Sequence, residues 1–172
     1  MKLKVPYYSQ YEDIKDKVWR DRACGLVCLK MVLDFNKIKT PEIGEFLKIA
    51  LDKGTYHEFN GWIHDKIVEL AKDFGMEACR KEEMENEQEL KDFLDGGNPV
   101  IVSISAKRFL EEFESKFHQV VLTGFKLDNC ELKGFYYNDP DYQGEEGKGL
   151  FVDRETFGKY WRKMAIFVHK IG

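Results

Sequence analysis

Four residue types at four positions have the makings of nucleophilic chemistry: Gln10, Cys24, His118 and Asp139. Cys24 falls at the predicted start of a helix and is followed by Gly25, which leaves its flank open. Unpaired N–H groups and the positive end of the helix dipole favour a thiolate at such a place. The competing reading is a small hydrophobe packed in a core helix, the usual fate of a reduced cysteine, and position alone leaves both open. A nucleophilic thiol needs an imidazole within hydrogen-bond reach, and the imidazole needs an orienting group. His118 heads the run His118-Gln-Val-Val-Leu-Thr-Gly124, where a strand end presents its side chain at the sheet margin. The hairpin that follows terminates at Asn138-Asp139-Pro140. Strands that start and finish at one edge bring His118 and Asp139 together, so the carboxylate would hold the second ring nitrogen. Asn-Asp-Pro is equally an ordinary turn. Acyl transfer also needs donors aimed at an oxyanion. The Cys24 N–H is one, and the Gln10 side-chain amide is the candidate for the second.

The other titratable groups have plainer readings. His57 sits in a loop and is expected in solvent, His64 caps or packs beside a helix, and His169 lies near the chain end on the surface. Cys28, one turn deeper than Cys24, is expected to pack. Cys79 and Cys130 stand alone, so the four cysteines lack the paired spacing of a zinc site, and no metal or cofactor is expected. Without a secretion signal, reduced thiols are the default.

These side chains need elements to position them. An extended stretch from Lys4 to Ser9 leads through a polar loop, Tyr11 to Arg20, into a helix from about Ala23 to Phe35, with Asp21 as its expected N-cap. That helix is apolar on nearly every side, which places it in the middle of the fold. Thr40-Pro41 opens a second helix running to about Leu51, and Asn60 or Gly61 starts a third that stops at Gly75. A short strand at 76–79 and an acidic helix at 85–94 follow. From Pro99 onward strands dominate: 99–104, 120–125, 132–137, 149–152 and 164–169, with a helix at 153–161 under an aspartate cap. Between the first two, 106–114 reads as a short charged helix that would wall or cover a cleft. The stretch 143–149 lacks the serine or threonine that a phosphate loop needs, and reads as a mobile loop. The order is that of an α+β protein, an N-terminal helical half packed on a C-terminal antiparallel sheet.

At 172 residues, 43% hydrophobic and 14% aromatic, the chain has material for one domain spanning 1–172 and is not disordered. Its 27 basic and 31 acidic residues leave a net charge of −4, which speaks against a nucleic-acid binder. The N-terminus carries no signal-peptide pattern and no run is long enough to span a membrane, so a soluble, cytoplasmic protein is expected, with no membrane partner.

In order and spacing, several pieces of this sequence resemble the papain-like cysteine peptidases, and more closely the bacteriocin-processing (double-glycine) peptidases and their stand-alone relatives. The pieces are Val5-Pro-Tyr-Tyr-Ser-Gln10, Cys24-Gly-Leu-Val-Cys-Leu-Lys-Met-Val-Leu33, Gly61-Trp-Ile-His-Asp65, Gly97-Asn-Pro-Val-Ile-Val102, His118 to Gly124 and Asn138-Asp-Pro140. The sequence departs from the family's pattern at Ala23 and Leu26. The resemblance implies a papain-like fold, Cys24 as nucleophile, His118 as general base, Asp139 as its orienting partner and Gln10 as oxyanion donor. It implies a hydrolase that cuts a peptide or related amide through a thioacyl-enzyme intermediate. A transferase using the same residues and a peptide-binding module without turnover are the alternatives. Gly96-Gly97 within the chain is a helix stop rather than a processing site.

Overall fold

The computed structural model describes residues 1–171, apart from the side chain of Phe117. Its first half is helical: α1 (Gln10–Asp13), α2 (Cys24–Phe35), α3 (Ile43–Asp52) and, after the two-residue strands β1 (Tyr56–His57) and β2 (Gly61–Trp62), α4 (His64–Asp73). Its second half is mostly sheet: β3 (Met76–Lys81), α5 (Gln88–Asp95), β4 (Val100–Ala106), β5 (Glu114–Asp128), β6 (Glu131–Asn138), β7 (Leu150–Asp153), α6 (Arg154–Tyr160) and β8 (Trp161–Lys170). Six of these strands form one antiparallel sheet in the order β3-β8-β4-β5-β6-β7. The α+β arrangement is the one the sequence leads to.

The sheet is buried on both faces, which is why β4 opens on the apolar run Val100-Ile-Val102. Side chains alternate across a strand. Ile101, Val121, Ile166 and Val168 face the helical core of α2, α3 and α4. Their neighbours Val100, Val102, Val120, Leu122, Ala165 and Phe167 face a second core, which is closed by Leu90 and Leu94 of α5 and Phe157 of α6. α2 is buried along its first ten residues. Its one lysine in that span, Lys30, is held by Thr40 and Asp34. Each such leucine or valine contributes roughly 1.5–3 kcal/mol by leaving water, so α2 is a rigid support.

Several local expectations change. α2 begins at Cys24 with Ala23 at the N-cap and no side-chain cap, because Asp21 is taken into the 3-10 turn Arg20–Arg22. The polar loop before it holds α1, capped by Ser9, whose hydroxyl accepts from the N–H groups of Tyr11 and Glu12. α3 and α4 start two to four residues later than their signals suggest. Ahead of α4, Gly61 has φ +67° and pairs with His57, so the chain runs as a small hairpin up to Ile63. The charged helix expected over 106–114 is instead two 3-10 turns, Lys107–Phe109 and Glu111–Phe113. Arg108 and Phe109 both have positive φ there. The break lets Lys107 and Arg108 turn toward Asp141 while Phe109 is buried against Tyr137 and Phe157. The stretch expected to be a mobile loop is tied down: the Gly147 carbonyl accepts the Asp139 N–H at 2.8 Å, and the Gly149 N–H donates to Asn138 Oδ1 at 2.8 Å.

Candidate active site

Cys24 is the first residue of α2, where backbone N–H groups have no acceptor inside the helix. Gly25 beside it makes room for a ring: a Cβ there would lie 2.6 Å from Cγ of Trp62. The indole N–H of Trp62 donates to the Arg22 carbonyl, and its ring meets Tyr56 edge-on at 5.4 Å. Trp62 is therefore clamped over the start of α2 and forms one wall beside the cysteine. Gly25→Ala is expected to displace this ring and to destabilise the protein by about 1–3 kcal/mol, the usual range for overpacking. A tryptophan fluorescence shift together with a lower denaturation midpoint checks it.

His118 lies within β5 rather than at its start, opposite Ile104 of β4, and is 1% exposed. Its Nε2 and Asp139 Oδ1 are 2.8 Å apart, and the Cys24 side chain hydrogen-bonds the imidazole as well. With Nε2 taken by the carboxylate, Nδ1 is left for the sulfur. Burial opposes charge on the ring. The Asp139 charge and hydrogen bond, with Cys24 added, outweigh it and raise the pKa to about 10. The imidazolium is therefore the favoured form at neutral pH.

Asp139 is fully buried at the end of β6. Its Oδ1 also accepts the Asp141 N–H at 2.9 Å, and its carbonyl accepts the Tyr7 hydroxyl at 3.0 Å. Burial, and then the Asp139 charge, push the Tyr7 and Tyr137 hydroxyls up, so both stay protonated beside it.

Gln10 does not end an extended segment; it opens α1 and is 1% exposed. Its backbone N–H donates to the Pro140 carbonyl at 3.0 Å and its Nε2 lies 3.4 Å from Asp141 Oδ1. Asp141 is the residue that sequence reasoning passed over. The same Oδ1 accepts the Tyr11 hydroxyl at 2.6 Å and Lys107 Nζ at 3.0 Å, and Arg108 donates to the Asp141 carbonyl at 3.0 Å. A second aspartate two residues after Asp139 was the available signal, because the turn that orients one carboxylate also presents the other.

Other side chains fall outside this group. The buried Cys28 thiol donates to the Gln119 carbonyl at 3.3 Å, and burial first, then Cys24, push its pKa well up. His57 is exposed, and His169 lies 3.5 Å from Glu77 at the sheet edge. His64 Nε2 is 3.0 Å from the Ser103 hydroxyl, and burial, then Arg80, lower its pKa. Among the described residues, no three His, Cys, Asp or Glu side chains are placed to hold a metal ion, and no helix is long and apolar enough to cross a membrane.

The Peptidase_C39 like family matches residues 2–166. The chain belongs to that family. Its fold is also that of solved C39 peptidase domains. A C39-like protein from Bacillus anthracis superposes with a TM-score of 0.69 at 20% identity, over 100% of this chain and 99% of that one. A double glycine motif protease from an AMS/PCAT transporter, solved with its leader peptide, gives 0.65 at 23% identity, covering 99% and 94%. The peptidase domain of Streptococcus ComA, a bifunctional ABC transporter, gives 0.62 at 22% identity, covering 88% and 93%. Among curated proteins, none matches the chain significantly. The C39-like fold is thus papain-like: a helical half carrying Cys24 against a sheet carrying His118. Membership supports a cysteine-peptidase type of function.

Proposed function

We propose that this C39-like protein hydrolyses a peptide or related amide bond, with Cys24 as nucleophile, His118 as general base and acid, Asp139 as the orienting carboxylate, and Gln10 with the Cys24 N–H as oxyanion donors. The observation that carries the reading is the hydrogen-bonded series Cys24–His118–Asp139, assembled from α2, β5 and the end of β6. The thiol proton rests on His118 as the imidazolium, and the sulfur attacks the carbonyl carbon to give a tetrahedral oxyanion. The imidazolium then protonates the leaving amine as the C–N bond breaks, which leaves a thioester on Cys24. Water, losing its proton to His118, attacks the thioester; carboxylate product leaves and the thiol is restored. No cofactor enters these steps. Exposed, unpaired thiols at Cys79 and Cys130 fit a reducing compartment, so we place the protein in the cytoplasm.

Incubation with a peptide vinyl sulfone, followed by intact-mass and peptide mapping, tests the assignment. One adduct on Cys24 is expected. No adduct at Cys24, with no peptide cleaved, would leave a binding module in its place.

Asp141 enters as a positioning residue. An amide has a donor end and an acceptor end, and a carboxylate beside it selects the donor end, which leaves the second N–H of Gln10 for an oxyanion. Gln10→Ala is expected to lower kcat about 10²–10³-fold, the range seen for loss of one such donor. Asp141→Ala should lower kcat in the same direction with KM little changed. In the Gln10→Ala background Asp141→Ala should do little more, which a purely structural role would not predict. Steady-state kinetics on the four proteins of the cycle check this.

A further inference from the structure

One cavity outside the Cys24–His118–Asp139 group begins one residue away from it. Gln119, next in the chain after His118, and Trp62, which lies against Gly25, both line a cavity of about 260 Å³ between the start of α4 and strands β3, β4, β5 and β8. Trp62 touches both the start of α2 and the cavity, which places an occupant of the cavity near the bond that Cys24 attacks.

The charged part of the lining is mainly cationic, set among the apolar Trp62, Ile63 and Met164. Arg80, Lys116 and Arg162 contribute positive charge, and Asp65 is the acidic side chain among them. Arg80 is held by Asp65 at 2.6 Å and by Glu82 at 2.9 Å. Arg162 has no carboxylate partner among the described residues; its guanidinium donates to the Lys116 carbonyl. Two of the buried side-chain atoms without a hydrogen-bond partner among the described residues belong to this lining, His64 Nδ1 and Gln119 Oε1, and Gln119 is only 4% exposed. Buried polar groups are rarely left unmatched, and two lining one cavity point to a ligand that supplies the matches.

We infer that this cavity binds an acidic side chain of the peptide substrate, near the scissile bond, and so sets a preference for glutamate or aspartate there. The inference rests on the hydrolase reading above. The carboxylate would meet the Arg162 guanidinium, with Lys116 adding to the field. His64 is kept neutral by burial and Arg80, and with Nε2 accepting from Ser103 it offers Nδ1–H to the same carboxylate. Gln119 Oε1 offers an acceptor for a main-chain N–H of the substrate. A cavity of this size admits one side chain, not a folded partner. A lysine or arginine side chain entering it would bring like charge against Arg162 and be rejected, so the site discriminates by repulsion as well as by attraction.

The test begins with digestion of a mixed peptide library by the wild-type protein and identification of the cleaved bonds. Synthetic pairs differing only in Glu or Gln at each flanking position then give kcat/KM values. At one position Glu is expected to exceed Gln by roughly tenfold, the scale of one desolvated charge pair. Arg162→Glu should reverse the preference in favour of Lys, and Arg162→Ala should abolish it while the Gln peptide is still cleaved. Equal rates for Glu and Gln at every position, or a preference unchanged in both Arg162 variants, would overturn the inference and leave the hydrolase standing. If the wild type cleaves no peptide at all, the hydrolase reading fails and the acidic preference falls with it.

Discussion

Replacing Cys24 by alanine is expected to abolish peptide hydrolysis, with a loss on the order of 10⁴-fold or more, because no neighbouring group can form the thioester in its place. The fold should survive. Cys24 is buried but small, and α2 is held by the apolar residues of its next two turns rather than by its first side chain. Activity and thermal midpoint should therefore separate: turnover gone, stability close to that of the wild type. The reactivity of the thiols gives a second readout. At pH 6, iodoacetamide should modify Cys24 ahead of Cys28, Cys79 and Cys130, because only Cys24 hydrogen-bonds an imidazole. Cys28, whose thiol burial pushes up, should react last. A Cys24→Ala protein that still turns over substrate, or four cysteines alkylated at one rate, would remove the nucleophile from the assignment.

The second large effect belongs to Asp139→Asn. Asparagine keeps the shape and a hydrogen-bonding group but loses the charge that raises His118. In the wild type the imidazolium persists until pH passes about 10. Without the carboxylate, burial is no longer outweighed and the ring loses its proton at a lower pH. The alkaline limb of the pH–kcat/KM profile should therefore move toward acid, and the rate at neutral pH should fall roughly 100-fold, within the range of positioned acid–base catalysis. Stability carries the same sign. A histidine whose pKa is higher folded than unfolded binds extra protons in the native state between about 6.5 and 10, so it stabilises fully below that window. That contribution is lost as pH rises through it. The thermal midpoint of the wild type should fall from pH 7 to 10 more steeply than that of Asp139→Asn. Parallel curves would mean that the carboxylate does not govern the ring.

Elements with strong local signals were legible. The largely apolar α2, the aspartate cap of α6 and the apolar segments of β4 and β5 are written in consecutive residues, and they form where periodicity places them, with β5 extended at both ends. The segment 106–114 reads as a helix because its charges fit a solvated helix face. The reason it breaks lies 33 and 34 residues away, where Asp141 pairs with Arg108 and Lys107. The turn at 143–149 reads as mobile because glycine and charge usually mark loops. Its anchors, the Asp139 N–H and the Asn138 side chain, belong to the preceding strand and its end.

By itself the sequence determined the fold class, the buried helix headed by a cysteine, and the order in which a thiol, an imidazole and a carboxylate follow one another. Those follow from hydrophobic periodicity and from chemistry that acts over a few residues. Tertiary structure alone decided what surrounds them: Trp62 over Gly25, Asp141 facing Gln10 across 131 positions, and a cationic cavity assembled from α4 and four strands. Contacts of that kind depend on how the layers pack. Packing is settled by the shape and volume of the whole core, which no short stretch of sequence records.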